Sequence, residues 1–203
     1  MMEKIKIGVL ASGGGTNLQS IIDACESGLL KNLAEVSIVL SNNENAFALQ
    51  RAKKHGIKAV FVDKKSLKDM DSFCDELINL LNENKVALVC LAGYLLKLSR
   101  IFVQKFKGRI MNIHPALLPK YGGKGMYGHH VHEAVIASGD KESGVTVHWV
   151  DEEYDHGNII VQEKVPVDPN DTPETLAKKV LKVEHKIYIE AIEGFIKEIN
   201  RCC

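Results

Sequence analysis

The chain has 203 residues, of which 45% are hydrophobic and 26% charged, which is enough for one domain with a sizeable core. Lys plus Arg and Asp plus Glu both number 26, so no uniform basic field favours nucleic acid as the main ligand. No apolar run approaches the roughly 20 residues of a membrane span, and the N-terminus lacks the apolar core of a signal peptide. These features predict one cytoplasmic domain over residues 1–203, with neither nucleic acid nor membrane as a partner.

Cysteine usage indicates reduced thiols. The five cysteines are an odd number, and none has the Cys-x-x-Cys spacing of a thiolate metal site. We therefore expect neither a disulfide framework nor a cysteine-bound metal from these residues: Cys25, Cys74, Cys90, Cys202 and Cys203.

Short apolar runs alternate with helical patterns in the first part of the chain. Helical spacing fills the gaps after the first three of these runs, and Gly28 and Gly56 follow two of the helical patterns as C-terminal stops would. This alternation is typical of a parallel sheet. The predicted strands cover residues 5–11, 34–40, 59–62, 88–92 and 110–113.

The pattern changes after residue 113. A glycine-rich loop at 122–128 follows two prolines and precedes a predicted helix at 130–138. Two further strands, at 145–150 and 159–165, are separated by a turn and are expected to be antiparallel. Pro173 then lies in the first turn of a helix that runs to about residue 200. The whole pattern predicts an α/β, Rossmann-like fold: a mostly parallel twisted sheet, helices on both faces and an antiparallel strand pair toward the C-terminus.

A glycine-rich turn links the first strand to the first helix. Glycines let the backbone bend there, so that free amides and the helix N-terminus can face one anion. The turn lacks both the Gly-x-Gly-x-x-Gly register of a dinucleotide site and the Gly-Lys-Ser/Thr of a P-loop. We expect it to bind a single phosphate monoester, the alternative being a turn without a ligand. Its residues are Ser12, Gly13, Gly14, Gly15, Thr16 and Asn17.

Three polar residues are candidates for catalysis. Period-2 alternation at the end of the fifth strand puts Asn112 and His114 on one side of the sheet, beyond its carboxyl edge. A carboxamide there can stabilise an oxyanion while a histidine handles a proton. Asp155, in the turn before the last strand, could reach His114 and favour its imidazolium form. Ordinary structural roles for all three remain the alternative.

A histidine cluster precedes the predicted 130–138 helix and continues into it. His129, His130 and His132 resemble a metal site at first sight, but two are adjacent and adjacent residues on a helix point apart. We predict no metal site.

Four segments carry a resemblance to a known family. They are Ser-Gly-Gly-Gly-Thr-Asn-Leu-Gln at 12–19, Leu-Ala-Gly-Tyr at 91–94, Asn-Ile-His-Pro-Ala-Leu-Leu-Pro-Lys-Tyr at 112–121, and Gly-Val-Thr-Val-His-Trp-Val-Asp-Glu-Glu-Tyr-Asp-His-Gly at 144–157. With them the chain resembles the phosphoribosylglycinamide formyltransferases, folate-dependent enzymes of purine synthesis. The match runs nearly end to end, and the 12–17 turn distinguishes this family from other folate formyltransferases.

The resemblance implies a role for each matched residue. Asn112, His114 and Asp155 would be the catalytic set. The 12–17 turn would bind the ribonucleotide phosphate, and Glu184 would lie near the glycinamide end. The folate pocket would be formed, together with Asn112 and Asp155, by Leu95, Leu96, Lys97, Leu98, Val150 and Asp151. Two departures concern the folate tail and the loop: Leu96 stands where many relatives carry arginine, and the loop around 125–128 is expanded.

The implied reaction is formyl transfer from 10-formyltetrahydrofolate to the amine of glycinamide ribonucleotide, without a metal or a covalent enzyme intermediate. Three alternatives remain: formyl transfer to another amine such as an amino sugar, a non-catalytic nucleotide-binding module, and formylfolate hydrolysis. Both a monomer and a homodimer are compatible with the sequence.

Overall fold

Seven strands form one mixed sheet in a computed structural model, which describes residues 3–202. The strand order is β3-β2-β1-β4-β5-β6-β7; β1 to β5 are parallel, and β6 is antiparallel to both β5 and β7. The strands are β1 (Ile5–Leu10), β2 (Ala34–Ser41), β3 (Lys58–Phe61), β4 (Leu88–Leu91), β5 (Ile110–His114), β6 (Glu142–Trp149) and β7 (Ile159–Pro166).

Six α-helices cover the sheet. One apolar cluster joins the sheet to α1, α2, α5 and α6, and a second joins its other residues to α3 and α4, so each face of the sheet has its own core. The helices are α1 (Thr16–Glu26), α2 (Phe47–Lys54), α3 (Met70–Glu83), α4 (Arg100–Lys105), α5 (His129–Ser138) and α6 (Pro173–Cys202); a short 3₁₀ helix covers Lys64–Ser66.

This architecture confirms the predicted fold class, with three differences of detail. Sequence periodicity did not identify α4, because six residues give too few turns for a pattern. Strand β6 begins at Glu142, three residues earlier than predicted, and it pairs antiparallel with β5 as well as with β7. The proposed stop after α2 is confirmed by Gly56, whose φ of 69° is left-handed.

The order of the strands reverses around β1, which lies between β2 and β4. Ligand crevices in open α/β sheets form at such a switch point, outside the carboxyl ends of the strands. Backbone hydrogen bonds join the chain after β1 to the chain after β4 at this edge. The Ala92 N–H donates to Leu10 O at 2.9 Å, and the Ser12 N–H donates to Gly93 O at 3.0 Å.

Three of the cysteines are buried free thiols. Burial raises the pKa of Cys25 to about 11 and that of Cys90 to about 12, so both are unreactive thiols at neutral pH. Cys74 is buried in the second core cluster, apart from the other two. Cys203 lies outside the described residues, as does the side chain of Cys202. Within residues 3–202, the helices include none with the length and apolar character needed to cross a membrane.

Candidate active site

A cavity of about 650 Å³ opens at the carboxyl edge of the sheet, beside the switch point. This volume is typical of small-molecule and cofactor sites. The polar residues from β5 and β6 line its floor, the segment after β4 lines one wall, and the glycine-rich loop before α5 lines another. Its lining includes Asn17, Tyr94, Leu95, Leu96, Lys97, Leu98, Asn112, His114, His132, His148, Val150, Asp151, Asp155 and Glu184.

The floor is built by the antiparallel pairing of β5 with β6. Asn112 is registered opposite His148, and His114 is registered opposite Thr146. Every second residue of a strand points to the same face of the sheet, so this pairing brings Asn112, His114 and His148 together at the same edge. Asp155 reaches them from the loop between β6 and β7: its carboxylate oxygens lie 3.6 Å from His114 Nδ1 and 3.6 Å from His148 Nε2.

The tautomer of His148 follows from its partners. Its Nδ1 lies 2.9 Å from the Trp149 carbonyl oxygen, which can only accept, so Nδ1 carries the proton. In the tautomer with the proton on Nδ1, Nε2 is an acceptor, and Asn112 Nδ2 donates to it at 3.1 Å. The second amide hydrogen of Asn112 points to Asp155 Oδ1 at 3.4 Å. His148 thereby fixes which way the Asn112 amide is turned.

The ring of His114 is held in the same manner. Nε2 lies 2.8 Å from the Tyr121 carbonyl oxygen and therefore donates to it, which leaves Nδ1 facing Asp155. The side chain is only 4% exposed. Burial lowers the pKa of His114 below its ordinary value of 6.5 and outweighs the neighbouring Asp155 charge, which raises it. The Asp155 charge thus favours the imidazolium form of His114, and burial of the ring opposes it; the catalytic role of the pair stays a prediction.

Asp155 is the hub of this cluster. Its backbone has a left-handed φ of 52°, and its Oδ2 accepts from the Gly123 N–H at 2.9 Å. Burial opposes ionisation, but the proximity of His148 and His114 and the hydrogen bond from the Gly123 amide hold the pKa of the carboxyl below its ordinary value. The loop between β6 and β7 packs tightly against the end of β6, since a Cβ on Gly157 would lie 1.8 Å from the Trp149 carbonyl oxygen.

Tyr121, whose carbonyl orients His114, is itself anchored. Its backbone has a left-handed φ of 59°, which is uncommon for a bulky residue. The hydroxyl donates to Asp140 Oδ2 at 2.6 Å and lies 2.6 Å from Ser138 Oγ, while Lys120 also binds Asp140. These contacts tie the segment that holds His114 to the end of α5.

The residues predicted for the folate pocket all line the cavity. Leu95, Leu96, Lys97 and Leu98 follow β4, and Val150 and Asp151 follow β6. The Lys97 ammonium lies 5.4 Å from the centre of the Tyr154 ring, at the cavity mouth. Leu96 is apolar and packs against the second core cluster.

The glycine-rich turn lies next to the cavity but, apart from Asn17, does not line it. Gly13, Gly14 and Thr16 are exposed, whereas Gly15 is buried with a left-handed φ of 70°. Within residues 3–202, the N–H groups from Gly13 to Leu18 make no backbone hydrogen bond, as expected for the first turn of a helix that faces outward.

Ser12 differs from the rest of the predicted turn. Its hydroxyl donates to Asn42 Oδ1 at 2.6 Å and accepts from the Leu95 N–H at 3.0 Å, and the residue is 7% exposed. A hydroxyl has one hydrogen to donate, so this one is already used within the protein. The predicted contact of Ser12 with substrate is therefore not supported by the geometry; the side chain joins β1, β2 and the segment after β4.

Asn17 and Glu184 meet across the cavity. Asn17 Nδ2 donates to Glu184 Oε2 at 2.5 Å, which ties the first turn of α1 to α6. Burial raises the pKa of Glu184, and the Asn17 hydrogen bond offsets part of that effect. Asn17 Oδ1 is buried and has no partner among the described residues.

The three histidines of the loop and α5 diverge, as predicted. His129 and His130 are exposed and contact Glu133, whereas His132 is buried, lines the cavity and has an Nδ1 without a partner in residues 3–202. Burial lowers the pKa of His132 to about 4, so it is neutral at physiological pH. Across the same residues, no group of three His, Cys, Asp or Glu side chains is placed to hold a metal ion.

Sequence reasoning missed three contributors to the site. His148 lies two residues from Thr146 in β6, as Asn112 lies two residues from His114 in β5. This spacing predicts that each pair points to one face of the sheet. His132 has no sequence signal of its own, because its spacing from His129 and His130 indicates only a metal site, which the geometry of a helix disfavours. The Tyr121 carbonyl is a backbone group and leaves no residue signature.

Comparisons with known proteins identify the family of this chain. Residues 5–192 match the formyl transferase family model. The phosphoribosylglycinamide formyltransferase of Haemophilus influenzae is 44% identical over 191 residues, which cover 94% of this chain and 86% of that protein. The chloroplastic enzyme of Arabidopsis thaliana is 42% identical over 194 residues. A crystal structure of glycinamide ribonucleotide transformylase 1 from Symbiobacterium toebii superposes with a TM-score of 0.89 at 39% identity, covering 96% of this chain and 89% of that one.

The relatives differ in length. This chain spans 66% of the Arabidopsis protein and 61% of the chloroplastic enzyme of Vigna unguiculata. The extent of the family match, together with the identity to a relative of similar length and the shared fold, shows that the chain belongs to the phosphoribosylglycinamide formyltransferase family of formyl transferases.

Proposed function

We propose that this protein transfers the formyl group of 10-formyltetrahydrofolate to the amine of glycinamide ribonucleotide. The observation that carries the proposal is the convergence of Asn112, His114 and Asp155 at the floor of one cavity, which runs on to Asn17 and Glu184 beside the glycine-rich turn. The formyl donor and the amine would thus meet at the polar cluster, each held by its own part of the chain.

The ribonucleotide would bind at the N-terminal end of α1. Its phosphate would accept from the outward N–H groups of Gly13, Gly14 and Gly15 and from the first turn of the helix at Thr16, where the helix dipole favours a negative charge. The buried Glu184 carboxyl, close to Asn17, would face the ribose and glycinamide end.

The formyl donor would occupy the other end of the cavity. The leucines at 95, 96 and 98 and Val150 supply an apolar wall for its ring system, and Asp151 supplies a polar edge. The anionic tail would leave by the mouth of the cavity, where Lys97 and Lys124 are cations that line it. With Leu96 at the position where many relatives have arginine, these lysines are the groups available to the tail.

In the proposed reaction the amine nitrogen attacks the formyl carbon, and the carbonyl π electrons move onto its oxygen. Asn112 would stabilise this oxyanion with the hydrogen now held in a long 3.4 Å contact to Asp155, while the hydrogen bound to His148 keeps the amide in position. The folate nitrogen then leaves with the electrons of the breaking C–N bond and takes up a proton derived from the amine. The amine is the nucleophile, so the reaction needs neither a nucleophilic Ser or Cys nor a metal.

His114 would take up the proton of the attacking amine and pass it on to the departing folate nitrogen. Burial lowers the pKa of its ring, and the Asp155 carboxylate that faces Nδ1 raises it. A negative charge developing on the formyl oxygen raises the pKa of a neighbouring imidazole. Protonated Nδ1 would then lie between the oxyanion and the Asp155 carboxylate, which stabilises the charged ring.

Residues 1–203 would form one domain, acting in the cytoplasm as a monomer or a homodimer. The test is the absorbance change of formylfolate conversion in the purified protein, with and without glycinamide ribonucleotide. We expect deformylation only when the ribonucleotide is present. Deformylation with an amino sugar instead would indicate another amine substrate, deformylation without any amine would indicate a hydrolase, and ribonucleotide binding without deformylation would indicate a binding module.

A further inference from the structure

Arg51, on α2, makes three contacts around the glycine-rich turn. Its Nε donates to the Gly14 carbonyl oxygen at 2.9 Å, and its Nη1 donates to Gln19 Oε1 on α1 at 3.1 Å. The guanidinium also lies 4.9 Å from the centre of the Phe47 ring. One side chain thereby joins α2, the turn and the first helix.

A second contact from α2 acts on the preceding peptide. The Ala48 N–H donates to the Gly13 carbonyl oxygen at 3.1 Å. In addition, a Cβ on Gly15 would lie 2.8 Å from Ala48 Cβ, so α2 packs directly against the turn. The carbonyls of Gly13 and Gly14 are therefore both directed toward α2.

The direction of a carbonyl fixes the direction of the next amide. In a trans peptide the C=O and N–H bonds point to opposite sides. With the Gly14 carbonyl held by Arg51, the Gly15 N–H is turned away from α2, and with the Gly13 carbonyl held by Ala48, the same is true of the Gly14 N–H. Glycine has no side chain to restrict these peptides, so the hydrogen bonds determine their orientation.

We infer that Arg51 is a positioning residue for the phosphate of the ribonucleotide. It holds the Gly14 carbonyl and thereby directs the Gly15 N–H toward the phosphate, and it does not contact the phosphate itself. This inference rests on the proposed function of the turn as the phosphate site. A planar guanidinium can bind the Gly14 carbonyl and Gln19 at once, whereas the ammonium of lysine is a point charge on a flexible stem.

The test compares Arg51→Met, Arg51→Lys and Lys54→Ala. Arg51→Met keeps an apolar stem but removes the donors, Arg51→Lys keeps the charge, and Lys54→Ala removes one charge from an exposed position on the same helix. We expect Arg51→Met to raise the KM for glycinamide ribonucleotide about tenfold, the effect of losing a hydrogen bond made by a charged group. The KM for the formyl donor and the KM for the phosphate-free glycinamide ribonucleoside should not change. Arg51→Lys should recover only part of the loss, and Lys54→Ala should resemble the unchanged protein.

A spectroscopic readout is independent of turnover. Inorganic phosphate should shift the Gly15 amide resonance of the unchanged protein and of Lys54→Ala, at concentrations that leave it unmoved in Arg51→Met. If the unchanged protein shows this shift but never consumes formylfolate, the proposed function fails and the inference about Arg51 stands. If turnover is normal and Arg51→Met alters neither the ribonucleotide KM nor the phosphate titration, the inference is wrong and the function stands. Full recovery by Arg51→Lys would also overturn it, because charge alone would then explain the effect.

Discussion

The two ends of the cavity are built on different principles. Beside the α1 end, the proposed binding groups are backbone amides of the glycine-rich turn, whose carbonyls at Gly13 and Gly14 are held by contacts with α2 on the far side of the turn. At the β5 and β6 end, the groups are side chains buried in a mutual network: His148 is 2% exposed, His114 is 4% exposed, and the Asp155 side chain is 11% exposed.

This difference predicts how each end fails. A backbone site depends on conformation, so a substitution harms it through φ or through the peptide orientation and should weaken the binding of one substrate. A buried side-chain network depends on charge and hydrogen-bond partners, so a substitution should slow the chemistry and alter its neighbours' titration. Five predictions test this contrast.

The largest effect should come from Asn112→Ala. If the amide donates to an oxyanion that exists only near the transition state, kcat should fall by about 100-fold or more with little change in either KM. Steady-state kinetics with each substrate varied would check this. A rise in KM with kcat unchanged would place Asn112 among the ground-state binding groups instead.

Asp155→Asn keeps the shape of the side chain and removes its charge. Because that charge raises the pKa of His114 against the effect of burial, its loss should move the His114 titration to still lower pH. We expect kcat to fall about tenfold or more, since the imidazolium is then harder to form. An NMR titration of His114 and the pH profile of kcat would measure both.

The Asn112→Ala/Asp155→Asn double variant asks whether these residues act as one unit. The two side chains share a hydrogen bond, so the double variant should lose less activity than the product of the two single losses. Losses that multiply cleanly, or a His114 titration that Asp155→Asn leaves in place, would contradict the coupled network.

Gly15→Val should break the other end of the cavity. The left-handed φ of 70° disfavours a β-branched residue, and its Cβ would lie 2.8 Å from Ala48 Cβ. We expect the ribonucleotide KM to rise about tenfold or more, and the formyl donor KM to change far less. Gly13→Ala is the matched control, since a Cβ there meets nothing within 4 Å. Equal changes in both KM values would remove the turn from the phosphate site.

The smallest effect should come from Tyr121→Phe. The carbonyl that orients His114 remains, but the hydroxyl that binds Asp140 and Ser138 is lost. We expect a loss of about 1 kcal/mol in unfolding free energy and no more than about a threefold fall in kcat. Urea unfolding and kinetics at saturating substrate would measure these two quantities. A fall in kcat as large as that of Asn112→Ala would show that the Tyr121 hydroxyl is needed to hold His114 in place.

Local sequence was sufficient for much of the fold and for the glycine-rich turn. The periods of apolar residues identified the five parallel strands and the helices α1, α2 and α3 between the first four of them, and the structure confirms that architecture. The turn was recognisable because its conformation depends on glycines that are neighbours in the chain. Asn112 and His114 were identifiable as candidates because alternation within one strand puts them on one side; their catalytic role stays a prediction.

Tertiary structure decided the features that depend on distant residues. His148 joins Asn112 only through the antiparallel register of β5 and β6, and Arg51 reaches Gly14 only because α2 packs on the turn. Burial of His114 by several elements lowers its pKa, against the Asp155 charge that raises it, and only the folded chain shows which effect is larger. Periodicity and backbone conformation are local properties that a sequence encodes directly, whereas register, burial and electrostatics sum over groups that meet only in the folded chain.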